Sequence, residues 1–169
     1  FSTAALEGGA GGCLTARTRD SYLPGKFYVQ VEDTQKALRD LAAWYKNRFS
    51  IPFVAVTGSV GKTTAKDMLA AVLGVKYKVL KTEGNFNNNV GLPLTLLRLD
   101  SSVQIAVLEM GMDGLGQIDY LADIVKPDVG SSPMWETPTS NGWAAGRTSS
   151  RRSVSCCPTS KAAEWWSST

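Results

Sequence analysis

The feature that most constrains the fold is the stretch FVAVTGSVGKTTAKDML at residues 53–69. An apolar run meets a glycine-containing turn, which leads into a lysine, two threonines and a helical pattern. A short buried strand followed at once by a helix is typical of parallel α/β sheets. The sequence therefore predicts a strand, a tight loop and a helix in direct succession.

Further apolar runs suited to buried parallel strands recur through residues 51–130. They are PFVAVTG, YKVLKT, IAVLEMG and KPDVG. Helical patterns separate them, at 62–73, about 91–98 and 115–125. Because strands alternate with helices, we predict an α/β fold with a doubly wound parallel sheet flanked by helices.

Residues 1–50 combine a glycine-rich start with one clear strand and one clear helix. KFYVQV at 26–31 is rich in aromatic and β-branched residues, as strands are. Asp33 is a plausible N-cap for the helix that follows. The apolar residues of that helix recur at helical spacing, at Leu38, Leu41 and Tyr45. We expect a helix packed on a small sheet.

Composition excludes several classes of protein. The chain has 169 residues, of which 43% are hydrophobic, enough for a real core, and its net charge of +3 is too small to indicate nucleic acid. It has no run of about 18 apolar residues, so we expect no membrane span. Three cysteines without any histidine form neither a disulfide framework nor a metal pattern, which favours a cytosolic setting. The start has neither an initiator Met nor a signal peptide, so we expect it to lie inside a longer protein.

The segment TGSVGKTT has the composition of a phosphate-binding loop. Gly58 and Gly61 let the backbone approach a phosphate, and the helix N-terminus adds the positive end of a dipole. Lys62 can reach the β- and γ-phosphates, and the Thr63 hydroxyl can bind Mg²⁺. The generic pattern G-x-x-x-x-G-K-[ST] would place glycine where this chain has Val56. The alternative is a glycine-rich turn with a solvated lysine, which the flanking strand and helix disfavour.

Two polar stretches are placed to complete this site. Glu109 lies at the carboxyl end of a predicted strand, where ligand crevices of α/β sheets form, so it could share a Mg²⁺ with the loop. An ordinary glutamate in a strand-to-helix loop is the alternative. TEGNFNNNVGLPLTLL holds four asparagines within five residues: Asn85, Asn87, Asn88 and Asn89. Asparagines suit tight turns, but here they would also place amide donors near the crevice.

Three motifs together resemble the Mur ligases, the ATP-dependent amide-forming enzymes of peptidoglycan precursor synthesis. They are TGSVGKTT, GNFNNNVGLPLTLL and LEMGMDGLGQIDYLADIVKPD, and the resemblance covers about residues 30–130. The second and third motifs look most like the member that adds D-alanyl-D-alanine to a UDP-N-acetylmuramoyl tripeptide. The resemblance implies that residues 1–50 are the end of a substrate-binding domain and 51–130 the front of the ATP-binding domain.

The resemblance also implies a chemistry and a set of residues. ATP would phosphorylate the carboxylate of the UDP-linked peptide, and the amine of D-alanyl-D-alanine would attack the acyl phosphate. Lys62 and Glu109 would be catalytic, with Thr63 and Glu109 holding Mg²⁺ and Asn85 near the nucleotide. The loop residues that would bind ATP are Gly58, Ser59, Val60, Gly61, Lys62, Thr63 and Thr64. We expect a cytoplasmic monomer whose partners are these small molecules, not nucleic acid.

The tail at residues 131–169 is unlike the rest of the chain. It has no Leu, Ile, Phe or Tyr but holds four of the five tryptophans. The family's histidine and modified lysine for a second metal would follow the KPDVG segment, yet the chain has no His. Read one base out of frame, the tail can give a string with both, so we interpret it as out of frame, disordered and non-homologous, and expect no ligation by this chain. A genuine partner-binding tail is the alternative.

Three other functions share some of these features. A folylpolyglutamate-synthase-like or other Mur-type ligase would have the same loop. A different P-loop ATP-binding protein would bind ATP without any response to D-alanyl-D-alanine. A non-enzymatic binding module would depend on the tail, where tryptophans accompany arginines in a way that suggests single-stranded nucleic acid: Arg147, Arg151 and Arg152.

Overall fold

The computed structural model describes residues 2–17, 22–112 and 114–132. Contacts divide the chain into two compact units, 1–38 and 39–169. The interpretation of the tail as out of frame and disordered concerns residues 131–169, of which 133–169 lie outside the described ranges. No helix in the described ranges is long and apolar enough to cross a membrane.

The first unit contains a helix and a pair of parallel strands. Helix α1 (Ser2–Glu7) precedes strand β1 (Gly12–Thr15), which pairs with β2 (Phe27–Gln30). Gly12 lies opposite Phe27, and a Cβ at Gly12 would come within 2.5 Å of the Phe27 ring. The strand predicted at 26–31 is confirmed as β2, whereas α1 and β1 were not predicted because glycines interrupt the pattern around them.

Helix α2 (Thr34–Lys46) contains the division between the two units. The Asp33 carboxylate accepts hydrogen bonds from the backbone N–H of Gln35 at 2.7 Å and of Lys36 at 3.1 Å. The predicted N-cap is therefore confirmed, and it satisfies two of the donors that every helix leaves unpaired at its start.

Within the described residues, the second unit is built on a four-stranded parallel sheet. Its strands are β3 (Phe53–Val56), β4 (Val79–Lys81), β5 (Ile105–Glu109) and β6 (Val129–Ser131), in the order β4-β5-β3-β6. The connecting helices are α3 (Lys62–Gly74), α4 (Gly91–Leu96) and α5 (Gln117–Val125). All three strand pairs are parallel, so the predicted α/β class and parallel sheet are confirmed.

Helices cover both faces of this sheet because the strands are apolar on both. On one face Val54, Val56 and Val107 pack against Ala65, Leu69 and Leu73 of α3. The other face packs against α4, α5 and the second half of α2, through a larger core that includes Phe53, Ala55, Ala106, Leu108, Leu92, Leu96 and Leu121. Residues of β3 and β5 thus alternate between the two cores, which explains why these strands read as continuous apolar runs.

Candidate nucleotide and metal site

The loop between β3 and α3 has the backbone conformation that its two glycines allow. Gly58 has a φ of 137° and Gly61 a φ of 79°, both in the region that side-chain-bearing residues rarely adopt. Gly61 is the N-cap of α3, so the N-cap residue offers no side chain to the first N–H groups of the helix. The first turn of a helix presents N–H groups without intrahelical partners, so the loop ends in a natural anion site.

The base of the loop is fixed to the neighbouring strands through Thr57. Its backbone N–H donates to the carbonyl of Ser131 at 3.0 Å, and its hydroxyl donates to the carbonyl of Met110 at 3.1 Å. Val56, where the generic loop pattern has glycine, is the fully buried last residue of β3. The strand therefore stays regular up to the loop, and the turn begins only at Gly58.

The predicted phosphate-binding side chains line the outside of this turn. Lys62 is half-buried, and its ammonium donates to the Gly58 carbonyl at 2.7 Å, so the side chain folds over its own loop. The other predicted loop side chains are exposed, at Ser59, Val60, Thr63 and Thr64. The lysine and the Thr63 hydroxyl are thus on the side of the loop that a ligand can reach.

Glu109 ends β5 directly beside the start of this loop. Its register partner is Val56, the last residue of β3. The residue is only 2% exposed, and its backbone N–H donates to the hydroxyl of the buried Thr82 at 2.9 Å. A carboxylate at this depth needs compensating partners, because burial without them is costly.

The two carboxylate oxygens of Glu109 have different surroundings. Oε1 accepts a hydrogen bond from the Asn87 amide at 2.8 Å. Oε2 is buried and accepts no hydrogen bond from the described residues, and the Lys66 ammonium lies 3.8 Å away from it. One oxygen is therefore held by the protein while the other keeps its lone pairs.

The asparagine run divides into separate roles. Asn87 links two loops, since its backbone carbonyl accepts from the Gly111 N–H at 2.8 Å while its side chain holds Glu109. The Asn88 carboxamide accepts from the N–H of Val90 at 3.1 Å and of Gly91 at 2.9 Å, and so starts α4. Asn85 is exposed in the preceding turn, and its role near a nucleotide stays a prediction.

The donor set is suited to Mg²⁺ held jointly by protein and ligand. Among the described residues no group of three or more His, Cys, Asp or Glu is arranged to hold a metal. Mg²⁺ typically takes one or two protein carboxylates and completes its shell with phosphate oxygens and water. Glu109 Oε2, which accepts no hydrogen bond from the described residues, fits that requirement, and Thr63 can add a hydroxyl.

Comparison with known proteins decides the family. The Mur ligase middle domain model matches residues 56–131, which run from the end of β3 to the end of β6. These residues are a Mur ligase middle domain. The match confirms the resemblance drawn from the three sequence motifs and the fold expected for the ATP-binding part.

Curated relatives of this Mur ligase domain include proteins named UDP-N-acetylmuramoyl-tripeptide–D-alanyl-D-alanine ligase. The Bacillus subtilis protein is 41% identical over 153 residues, covering 87% of this chain and 34% of the relative. The Escherichia coli protein is 41% identical over 128 residues, covering 76% of this chain and 28% of the relative. The chain thus spans about a third or less of the length of these relatives.

Two solved MurF structures are also similar to this chain, which again covers about a third or less of their length. MurF from Acinetobacter baumannii superposes with a TM-score of 0.82 at 31% identity, over 92% of this chain and 34% of that chain. MurF ligase from Thermotoga maritima in complex with ADP gives a TM-score of 0.65 at 37% identity, over 75% of this chain and 29% of that chain.

Sequence reasoning missed Lys66 and did not single out Asn87 among the asparagines. Lys66 is 2% exposed. It stands one helical turn after Lys62, beside apolar positions of α3 that face the sheet. That neighbourhood was a possible signal, because a lysine next to the apolar face of a helix is poorly placed for solvent.

Proposed function

We propose that this chain supplies the nucleotide site of a UDP-N-acetylmuramoyl-tripeptide–D-alanyl-D-alanine ligase of peptidoglycan precursor synthesis. The observation that carries the proposal is the buried Glu109, in register with the strand that enters a glycine loop, with one oxygen that accepts no hydrogen bond from the described residues. The names of the relatives at 41% identity, and the ADP bound to the Thermotoga maritima neighbour, support it.

The site residues divide the work between binding and charge stabilisation. The amides of residues 58–64 surround the phosphates of ATP, and the Lys62 ammonium leaves the Gly58 carbonyl to contact the transferring phosphoryl group. Thr63 and Glu109 would hold Mg²⁺, and the bound ion would supply positive charge to neutralise the phosphates of ATP. Asn85 contacts the nucleotide.

The complete reaction joins two small molecules. The carboxylate of the UDP-N-acetylmuramoyl tripeptide attacks the γ-phosphorus of ATP, and ADP leaves. The amine of D-alanyl-D-alanine then attacks the acyl phosphate, and inorganic phosphate leaves as the amide forms. We place the reaction in the cytoplasm and the protein as a monomer.

We further propose that this chain binds nucleotide without ligating. The family's second metal requires a histidine, and the sequence has none. The chain also spans only about a third or less of the length of the ligases it resembles. Nucleotide binding is therefore the activity to measure on this chain.

Isothermal titration of this chain with ATP and Mg²⁺ tests the proposal. We expect binding by the unaltered chain and about ten- to hundredfold weaker binding by Lys62→Met, because a charged hydrogen bond contributes roughly 1.5–3 kcal/mol. Lys76→Met is the matched control, since Lys76 follows the far end of α3. Equal affinities for the two variants, or no binding by the unaltered chain, would contradict the proposal.

The ligase assignment needs a second measurement on a full-length protein that includes this segment. Phosphate release should depend on both the UDP-linked tripeptide and D-alanyl-D-alanine. Release with folate and glutamate instead would identify a folylpolyglutamate synthase. ATP turnover that ignores all of these acceptors would identify another kind of P-loop enzyme.

A further inference from the structure

Lys66 is a buried cation that the proposed phosphate chemistry does not use. It is 2% exposed, although it stands on α3 only four residues after Lys62. Burying an ammonium costs several kcal/mol unless opposite charges compensate it. Its carboxylate neighbours are Glu109, with Oε2 at 3.8 Å, and Asp67, with Oδ1 at 3.5 Å.

The distance between the Lys66 ammonium and Glu109 Oε2 indicates attraction without a hydrogen bond. At 3.8 Å the ammonium attracts Oε2 but lies beyond the length of a good hydrogen bond. The other oxygen is engaged at 2.8 Å by the Asn87 amide. Asn87 thus fixes one end of the carboxylate, and Lys66 provides the compensating charge without occupying the lone pairs of the other end.

We propose that Lys66 is a positioning residue that holds the Glu109 carboxylate with one oxygen free for a divalent cation. The inference rests on the proposed nucleotide function. Lys66 touches neither metal nor nucleotide, and it acts through Glu109. Without it, the buried carboxylate has no cation within ion-pair distance among the described residues, and the side chain can turn away from the loop to regain solvation.

The same network supplies a matched control. Lys81 donates to Asp67 Oδ1 at 2.8 Å, the oxygen that also faces Lys66. The Lys81 side chain is 45% exposed, and its ion pair is with Asp67. Lys81→Met therefore removes one cation from the network and leaves the contact between Lys66 and Glu109 in place.

The test compares ADP affinity with and without Mg²⁺ in the full 169-residue chain. The measured quantity is the factor by which Mg²⁺ tightens ADP binding, obtained by titration calorimetry. We expect Lys66→Met to lower this factor at least about fivefold while Mg²⁺-free affinity changes less than about twofold. Lys81→Met should leave the factor unchanged. Glu109→Gln should abolish it, and adding Lys66→Met to that variant should change nothing further, since the effect passes through Glu109.

Several results would overturn the inference. Equal losses of ADP affinity with and without Mg²⁺ in Lys66→Met would assign Lys66 a merely structural role. So would a Lys66→Met effect of the same size in the Glu109→Gln background as in the unaltered chain. If the unaltered chain binds no ADP at all, the nucleotide function itself is wrong. In that case a double-mutant cycle on the unfolding equilibrium constant tests whether Lys66 and Glu109 interact. Coupling of less than about threefold between the two residues rejects their interaction and with it the inference.

Discussion

The phosphate loop (residues 57–64) and the buried carboxylate cluster (Lys66, Asn87 and Glu109) adjoin each other but are built in opposite ways. The loop is one continuous segment whose proposed ligand groups are mostly backbone amides and exposed side chains. The cluster takes one residue from each of three distant segments and buries two of its charges. The loop can be recognised from a short motif, whereas the cluster becomes visible only when the sheet brings its parts together.

The two regions should therefore respond differently to mutation. Loop substitutions should weaken ligand binding more than folding, because the loop side chains contribute little to the core. Cluster substitutions should affect folding first, because they leave an uncompensated group in a buried place. Three variants test this contrast, in order of decreasing effect.

The largest effect is expected for Glu109→Leu, which leaves Lys66 buried without its partner on β5. Breaking a buried ion pair from one side costs about 3–5 kcal/mol, and the nearby Asp67 places this site at the low end. Chemical denaturation should show a loss of about 3 kcal/mol in the free energy of unfolding. Glu83→Leu is the control, because its ion pair with Arg98 is exposed. Similar losses for both variants would mean that burial does not distinguish these ion pairs.

An intermediate effect is expected for Gly61→Ala in the loop. The new side chain would sit at a φ of 79°, where a Cβ costs roughly 1–2 kcal/mol. The unfolding free energy should fall by about that amount, and ATP binding should weaken because the N–H groups are re-aimed. Gly74→Ala at the other end of α3 meets nothing within 4 Å and has no such φ, so it should be neutral or slightly stabilising. Unchanged ATP affinity in Gly61→Ala would break the link between loop conformation and binding.

The smallest loss of unfolding free energy is expected for Gly111→Ala, which tests the hydrogen bond between Asn87 and Glu109 in the cluster. A Cβ there would lie 2.9 Å from the Asn87 carboxamide, so the amide must shift by a few tenths of an ångström. We expect about 1 kcal/mol of destabilisation and a smaller effect of Mg²⁺ on ADP binding, because the Asn87–Glu109 hydrogen bond is disturbed. Gly114→Ala, whose Cβ would meet only the end of Gln117 at 3.8 Å, serves as control. An undiminished Mg²⁺ effect would show that Asn87 does not orient Glu109.

The two central strands of the sheet, β3 and β5, could be predicted because each carries its own signal. A parallel strand covered on both faces is apolar at successive positions, as FVAV and IAVLE are, so no partner has to be known. In the first unit, β1 could not be predicted in this way. Its four residues, GCLT, follow a run of glycines, and the strand exists through its pairing with β2.

The site residues differ in the same way: some have a sequence signal of their own, and others depend on contacts with distant segments. Glu109 could be placed at the end of β5 from the sequence, and its role as a ligand stays a prediction from the rule that strand ends of α/β sheets collect ligand groups. Lys66 was missed, since its contact with Glu109 lies 43 positions away along the chain and depends on β3 and β5 being neighbours. The asparagine run showed that amides would be near the crevice but not that Asn87 would be the one on Glu109.

The hydrogen bond from the Thr57 N–H to the Ser131 carbonyl has a consequence for where this domain can be cut. It makes β6, the outer strand of the described sheet, formed by residues more than seventy positions later, part of the support for the proposed phosphate loop. A shortened chain that ended before Ser131 would still contain every residue of the glycine motif. It would nevertheless lose one of the backbone hydrogen bonds that hold the base of that motif, so we expect the smallest piece able to hold a nucleotide to be defined by the sheet and not by the motif.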